Sequence, residues 1–257
     1  MRRIRCIIQY LGTNYVGWQI QPNGHSIQEA LEAALKRITN EDVRIHGSGR
    51  TDSGVHARAQ VAHFDVEAKM PADKFAIAMN MLLPSDIRVL HSEETDIDFH
   101  SRFNAKRKHY QYNIQTGKHA DVFLKDTCLH VHRPLDFDSL QRAASLCTGE
   151  HDFRGFMSAN TSVDNTVRTI FRSQWSRKGN LLSYDVEGNG FLYNMVRILV
   201  GTMLDIGSGR LPIEAMQAAL ETPDRAFAGA TAPAHGLTLM RVCYPDFDTE
   251  VILNEPG

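Results

Sequence analysis

Strand-like and helical periodicities alternate along this 257-residue chain in a similar order twice. That order restricts the folds open to the chain more than any single residue does. Residues 3–10 are rich in isoleucine and read as a strand. Ser26-Ile-Gln-Glu29 has the form of a capping box, and Ile27, Ala30, Leu31, Ala34, Leu35 and Ile38 follow at helical spacing. Two short strands are expected next, over residues 43–45 and 60–66. A second helix is expected over 72–83, stopped by Pro84, and a further strand over 87–90. The first half is then β-α-β-β-α-β.

The second half runs similarly. Residues 108–115 alternate, with Tyr110, Tyr112 and Ile114 on one face. A helix is expected over 137–147, then a hairpin of strands over 166–176 and 181–187 turning near Lys178-Gly-Asn180. A long helix over 191–206, another over 212–220 and a last strand over 236–244 complete the order. The expectation is an α+β fold with two ferredoxin-like halves, 1–100 and 101–257, sharing a largely antiparallel sheet with a central catalytic cleft. No residue-level repeat accompanies the shared order.

Between the strands at 43–45 and 60–66 lies Gly47-Ser-Gly-Arg-Thr-Asp-Ser-Gly-Val-His-Ala57. Its single carboxylate, Asp52, stands two residues from Arg50 and among three glycines, which permit tight turns and close approach of a ligand. Polar loops held between regular elements are common seats of catalytic groups. The same composition also reads as a surface turn with a local ion pair. Gly-Ser-Gly-Arg recurs at 207–210 after the long helix, where it reads as a cap and turn.

Arg197 is the second candidate. It interrupts Phe191-Leu-Tyr-Asn-Met-Val-Arg-Ile-Leu-Val-Gly-Thr-Met-Leu204, a helix apolar nearly all round and therefore expected to be buried. A buried guanidinium needs an anionic partner, and Asp52 is a candidate for it. The alternative is that Arg197 snorkels to the surface from one helix edge.

Net charge is −2, yet residues 101–119 carry Arg102, Lys106, Arg107, Lys108 and Lys118 without one acid. Arg168, Arg172, Arg177 and Lys178 form a second basic stretch, while Glu93, Glu94, Asp96, Asp98, Asp246, Asp248 and Glu250 gather elsewhere. Such asymmetry fits a basic groove on an otherwise acidic body, or simply solvated strand faces. Cys6, Cys128, Cys147 and Cys243 are scattered, without a Cys-x-x-Cys pair, so reduced thiols are expected rather than zinc or disulfides. His130-Val-His132 has no carboxylate or cysteine beside it, and no metal is expected there. No membrane span and no signal peptide are expected, which points to a cytoplasmic protein.

The run Gly-Arg-Thr-Asp-Ser-Gly-Val-His-Ala at 49–57 resembles the active-site motif of the TruA family of tRNA pseudouridine synthases. The resemblance extends through nearly the whole chain. Asn80…Leu83-Pro84-Ser-Asp86, Phe99-His-Ser-Arg-Phe103, Tyr110-Gln-Tyr112 and Gly149-Glu-His-Asp-Phe153 follow in order. Phe191-Leu-Tyr-Asn-Met-Val-Arg197 with Gly201, then Ala232-Pro-Ala-His-Gly-Leu237 with Tyr244-Pro245, close the series. Gly155-Phe156 departs from it, since many relatives read Ser-Phe; this bears on the packing of one loop.

The resemblance implies an isomerase that turns uridines 38–40 of the tRNA anticodon stem–loop into pseudouridine, without cofactor or metal. Asp52 is then the essential carboxylate and Tyr110 stacks on the target base, its hydroxyl in a polar role. Phe191 and Leu237 are pocket walls. Arg50 either partners Asp52 or fills the space left by the extruded base. Lys106, Arg107 and Lys108 grip phosphates, and the protein is a homodimer. His56 and His235 are read as structural hydrogen-bonding residues. A glycosidase is a rival, but it normally uses two carboxylates about 5–9.5 Å apart. A non-catalytic tRNA-binding protein or chaperone is a second rival, and it leaves Asp52 and Arg197 without a purpose.

Overall fold

The structure, a computed structural model, describes residues 1–158, 163–222 and 224–254. It is α+β and divides into two compact units, Met1–Lys106 with Thr238–Gly257, and Arg107–Leu237.

The first unit runs β1 (Arg2–Tyr10), α1 (Ile27–Thr39), β2 (His46–Gly47), β3 (His56–Val66), α2 (Lys74–Asn80) and β4 (Ile87–Thr95). β1 is central and antiparallel to both β3 and β4. The capping box forms in full: Glu29 N donates to Ser26 Oγ at 3.1 Å, and Ser26 N donates to Glu29 Oε2 at 3.4 Å. Ile27, Leu31, Ala34 and Leu35 of α1 and Phe75 and Met79 of α2 are buried, and Phe75 meets Phe64 of β3 edge-on at 5.5 Å. Residues 43–45 do not form the expected strand. Ile45 N donates to Glu32 Oε1 at 3.0 Å and Ile45 O accepts from Gln28 Nε2 at 3.1 Å, so α1 side chains occupy groups that a ladder would use. The strand is instead the short β2, antiparallel to one end of β3 through His46 opposite His63.

The second unit holds β5 (Arg107–Thr116), β6 (Leu129–Val131), α3 (Phe137–Leu146), β7 (Gly149–Asp152), β8 (Val167–Lys178), β9 (Leu181–Gly188), α4 (Met195–Gly207) and α5 (Glu214–Glu221). Its sheet has the order β5-β9-β8-β7, antiparallel throughout, with β6 parallel to β5. Ser173 Oγ donates to Ala144 O at 2.7 Å, and the Trp175 indole reaches Met203 Sδ at 3.3 Å, so this sheet face packs on α3 and α4. The long helix starts at Met195, four residues later than expected. Asn194 is left-handed at φ 60°, which the right-handed helix cannot continue through. The exposed Tyr193 fits a turn rather than a buried helix.

The chain closes with β10 (Leu237–Cys243) and α6 (Thr249–Asn254). The units therefore divide the chain elsewhere than at the expected 100/101 boundary. Thr238 and Leu239 pair in parallel with His56 and Ala57 of β3. Ser101 Oγ donates to His46 O at 2.6 Å, Tyr244 OH to Ser101 O at 2.6 Å, and Lys106 N to Cys243 O at 2.8 Å. These bonds bind both 101–106 and the C-terminal strand into the first unit. Among the described residues no helix is long and apolar enough to cross a membrane. All four cysteines are free thiols.

Candidate active site

Asp52 is half-buried on the loop between β2 and β3 of the first unit, and its neighbours are held from several sides. On its N-terminal side, Ser48 N donates to Val61 O at 2.7 Å and Gln60 Nε2 to Gly49 O at 3.0 Å. Thr51 is buried, its Oγ1 2.8 Å from the Tyr10 hydroxyl, and its carbonyl accepts from Trp18 N at 3.0 Å. On its C-terminal side, Gly54 N and Ser53 Oγ both donate to Tyr15 O, at 3.3 and 3.2 Å. Asp52 O accepts from Val55 N at 3.1 Å, closing a turn in which Gly54 takes φ +78°. A side chain on Gly17 would stand 2.6 Å from Thr51 O and 3.1 Å from the Asp52 carbonyl carbon. A bare glycine there lets the 15–18 segment lie against the backbone of Asp52.

That segment is braced in turn. Tyr15 OH donates to Asp86 Oδ1 at 2.7 Å and Leu11 N to Asp86 O at 3.0 Å. Asn80 clamps Val89, donating to its carbonyl at 2.7 Å and accepting from its amide at 2.8 Å. The Asn80…Asp86 motif thus supports the Asp52 loop at one remove. His56 is buried and its Nδ1 accepts from Gly12 N at 2.9 Å, the structural role expected of it. Arg50 is exposed.

In the second unit, Tyr110 is buried on β5 and meets the half-buried Phe191 edge-on, centroids 5.2 Å apart at 86°. Tyr112, two residues along the same face, is core: it is unexposed and donates to Pro233 O at 2.8 Å. Arg197 stands half-buried in the first turn of α4. Its Nε donates to Ala232 O at 2.8 Å and one terminal nitrogen to Asn194 Oδ1 at 2.8 Å, while Asn194 Nδ2 donates to Ser158 Oγ at 2.7 Å. Ala232 N returns a bond to Arg197 O at 3.0 Å. The positive end of the helix dipole lies here, so the cation sits against the electrostatic preference of its own helix and suits an anion brought from outside it. Leu237 is buried where the second unit ends. Asp52 belongs to the first unit and Arg197 to the second.

The basic run is unevenly engaged. Lys106 is exposed and ends one segment of the first unit, while Arg107 opens the second. Arg107 pairs with Glu187 at 3.0 Å and lies 4.5 Å from the Phe171 ring centroid; Lys108 is half-buried. His130 Nε2 lies 2.9 Å from Gly117 O. Among the described residues no group of three or more His, Cys, Asp or Glu side chains is arranged to hold a metal ion.

A family sequence model described as tRNA pseudouridine synthase matches residues 6–104 and 143–245. The chain belongs to that family. A tRNA pseudouridine synthase A of Brevibacillus brevis is 46% identical over 244 residues, 95% of this chain and 100% of that one. The Acetivibrio thermocellus protein of that name is 44% identical over 244 residues, with 95% and 100% covered. That of Halalkalibacterium halodurans is 46% identical over 238 residues, with 92% and 90% covered. A chain of a crystallised Cbf5-Nop10-Gar1 complex aligns at a TM-score of 0.37 and 14% identity, over 92% of this chain and 48% of that one; family membership rests on the sequence matches.

Asp52, Phe191, Arg197 and Leu237 fall inside the family segments, whereas Lys106, Arg107, Lys108 and Tyr110 fall between them. Gly155 explains itself sterically: an added Cβ would stand 2.6 Å from Ala219 O and 3.2 Å from Asp224 O. Sequence reading did not single out Tyr15, Gln60 or Asn194. Each works through a backbone carbonyl or a side-chain amide, contacts that leave no mark in periodicity or charge.

Proposed function

We propose that this protein isomerises uridine to pseudouridine in tRNA, at positions 38–40 of the anticodon stem–loop, and acts as a homodimer. The observation that carries the reading is a lone carboxylate, Asp52, on a braced glycine-rich loop inside the family segment. The reaction breaks the N1–C1′ bond and forms C5–C1′. The C5 proton leaves and N1 takes one up, so neither water nor a cofactor is consumed. The base must leave the stack, at a cost of a few kcal/mol, and be held by aromatic and apolar groups. Tyr110 and Phe191 supply an edge-on aromatic pair for this, and Leu237 an apolar wall. Asp52 acts at C1′, at C6 of uracil or on the 2′ proton. Arg50 and Arg197 support the anionic site, and Lys106, Arg107 and Lys108 hold phosphates without reading sequence.

The test uses an unmodified tRNA transcript with wild type and Asp52→Asn in parallel. Because isomerisation leaves mass unchanged, carbodiimide adducts specific to pseudouridine are mapped. Adducts at 38–40 with wild type, and their loss by about 10³-fold or more with Asp52→Asn, are expected for removal of an essential acid–base or nucleophilic group. Release of free uracil would instead mean glycosidic cleavage. Binding without adducts in wild type would mean a tRNA-binding protein.

A further inference from the structure

Arg168 lies near the start of β8, half-buried. One terminal guanidinium nitrogen donates to two carbonyls, Asn165 O at 3.0 Å and Val167 O at 2.6 Å. Among the described residues it meets no carboxylate, and burial alone accounts for the lowering of its pKa. Arg88 is also half-buried and donates to two carbonyls, Pro84 O and Ile87 O, but three other enclosed arginines meet carboxylates. Arg3 meets Asp65 at 2.7 Å, Arg5 meets Glu93 at 2.5 Å, and Arg241 meets Asp248. A guanidinium taken partly out of water without an anion carries a desolvation cost that a bound anion would offset.

Its surroundings say where that anion would sit. Thr169 grips Asn189 in both directions: Asn189 N donates to Thr169 O, and Thr169 N to Asn189 Oδ1, both at 3.0 Å. The 188–191 segment is therefore fastened to β8 beside Arg168. A Cβ built on Gly190 would lie 3.5 Å from Arg168 Nε, so the guanidinium end of the side chain rests over a residue with no side chain to cover it. The next residue is Phe191, whose ring meets Tyr110 at 5.2 Å. Strand, glycine and aromatic pair thus form one continuous piece of the second unit.

We infer that Arg168 binds an RNA phosphodiester adjoining the uridine held by Tyr110 and Phe191. The inference rests on the function proposed above. A planar guanidinium matches two phosphate oxygens at once, whereas a lysine offers only a point charge. Arg168 then sets the register of the strand that enters the site, and it carries no base preference.

The experiment is a cycle between protein and RNA. Synthetic anticodon stem–loops each carry one neutral methylphosphonate, scanned across the loop and the 3′ side of the stem. Dissociation constants are measured for wild type, Arg168→Gln and Arg168→Lys. One position is expected at which neutralisation weakens wild-type binding about 10-fold, as does Arg168→Gln alone, while both changes together cost about 10-fold and not about 100-fold. The slope of log K against log salt should fall by about 0.7–0.9 in Arg168→Gln and stay near wild type in Arg168→Lys. Arg168→Lys keeps the aliphatic stem, so its partial coupling at the same phosphate supplies the result if the glutamine variant does not fold. Additive effects at every phosphate overturn the inference. A wild type that binds the stem–loop but forms no pseudouridine overturns the isomerase reading instead, and the cycle still decides whether Arg168 meets a phosphate.

Discussion

Replacing Gly201 by alanine sets two physical rules against each other. In an isolated helix interior the change stabilises by about 1 kcal/mol. Here a Cβ at 201 would stand 1.7 Å from Ala230 O and 3.2 Å from Ala232 N, where real Cβ atoms essentially never come under 3.0 Å. The 230–232 segment must retreat by more than an ångström. That segment carries the carbonyl that accepts from Arg197 Nε and the amide that donates to Arg197 O. Overpacking costs about 1–3 kcal/mol. The charged hydrogen bond adds about 1.5–3 and the backbone bond about 1 kcal/mol if both break. A cavity of about 260 Å³ borders Ala230, Thr231, Ala232 and Pro233 and gives the segment some room, which holds the total down. Against the propensity gain, the net expectation is a destabilisation of about 2–4 kcal/mol. Urea unfolding would read this as a midpoint about 1 M lower at unchanged slope. Gly209→Ala is the control: at φ +73° with nothing within 4 Å of its Cβ, it should cost only the left-handed strain of about 1–2 kcal/mol. If Gly201→Ala unfolds at or above the wild-type midpoint, the close approach of α4 to this segment is wrong.

Other outcomes follow from the same contacts. His63 is 2% exposed, stacked on His46, edge-on to His100 and 2.9 Å from Ser101 Oγ; burial first, then Arg3, His100 and His46, lower its pKa to about 3. Unfolded it titrates near 6.5, so between the two values the unfolded chain holds the extra proton. This group leaves stability unchanged above that range and removes it as pH falls, by up to about 1.4 kcal/mol per unit. Asp65, held low chiefly by its bond to Arg3, loses its contribution in the same direction. Denaturant midpoints followed from neutral to acid pH should fall less steeply in His63→Gln, and an unchanged profile would refute the assignment. Gly155→Ser should cost about 1–3 kcal/mol through its clash with Ala219 O, read by thermal melting; an unchanged melting temperature would mean that α5 moves freely. Arg197→Lys cannot donate to Ala232 O and Asn194 Oδ1 as the guanidinium does, so pseudouridine formation should fall by about 10²-fold in a variant that still folds. Wild-type turnover in that variant would show that charge alone suffices.

Much of this was legible from residue types. The capping box at Ser26 and Glu29 is local chemistry, complete in four residues, and it forms as read. The shared face of Tyr110, Tyr112 and Ile114 followed from alternation, and all three are buried; Asp52 stood out because its loop is rich in glycine and holds one acid. What escaped were contacts made by backbone groups across the sequence. Residues 43–45 have strand composition, but Glu32 and Gln28, a turn apart on α1, capture the backbone of Ile45. The last strand reads as the end of a second half, yet its pairing with His56 and Ala57 is parallel and spans most of the chain, beyond any local signal.

The start of α4 shows why the chemistry of a site can be read more easily than its reach. The run from Phe191 to Leu204 is largely apolar, and periodicity has no means of choosing where within it a helix begins. One residue decides. Asn194 tolerates the left-handed conformation better than most, because its short amide can bond locally, and here that amide bonds Arg197 and Ser158. Had the helix begun at 191, Phe191 would project from its first turn and Arg197 from its second. Beginning at Met195, it releases Phe191 to a loop fastened on β8, where the ring can meet Tyr110, and it brings Arg197 to the positive end of the dipole. The aromatic pair and the cation thus take their places from the same backbone turn. A change at Asn194 should therefore disturb both, although it is neither an aromatic nor a charge.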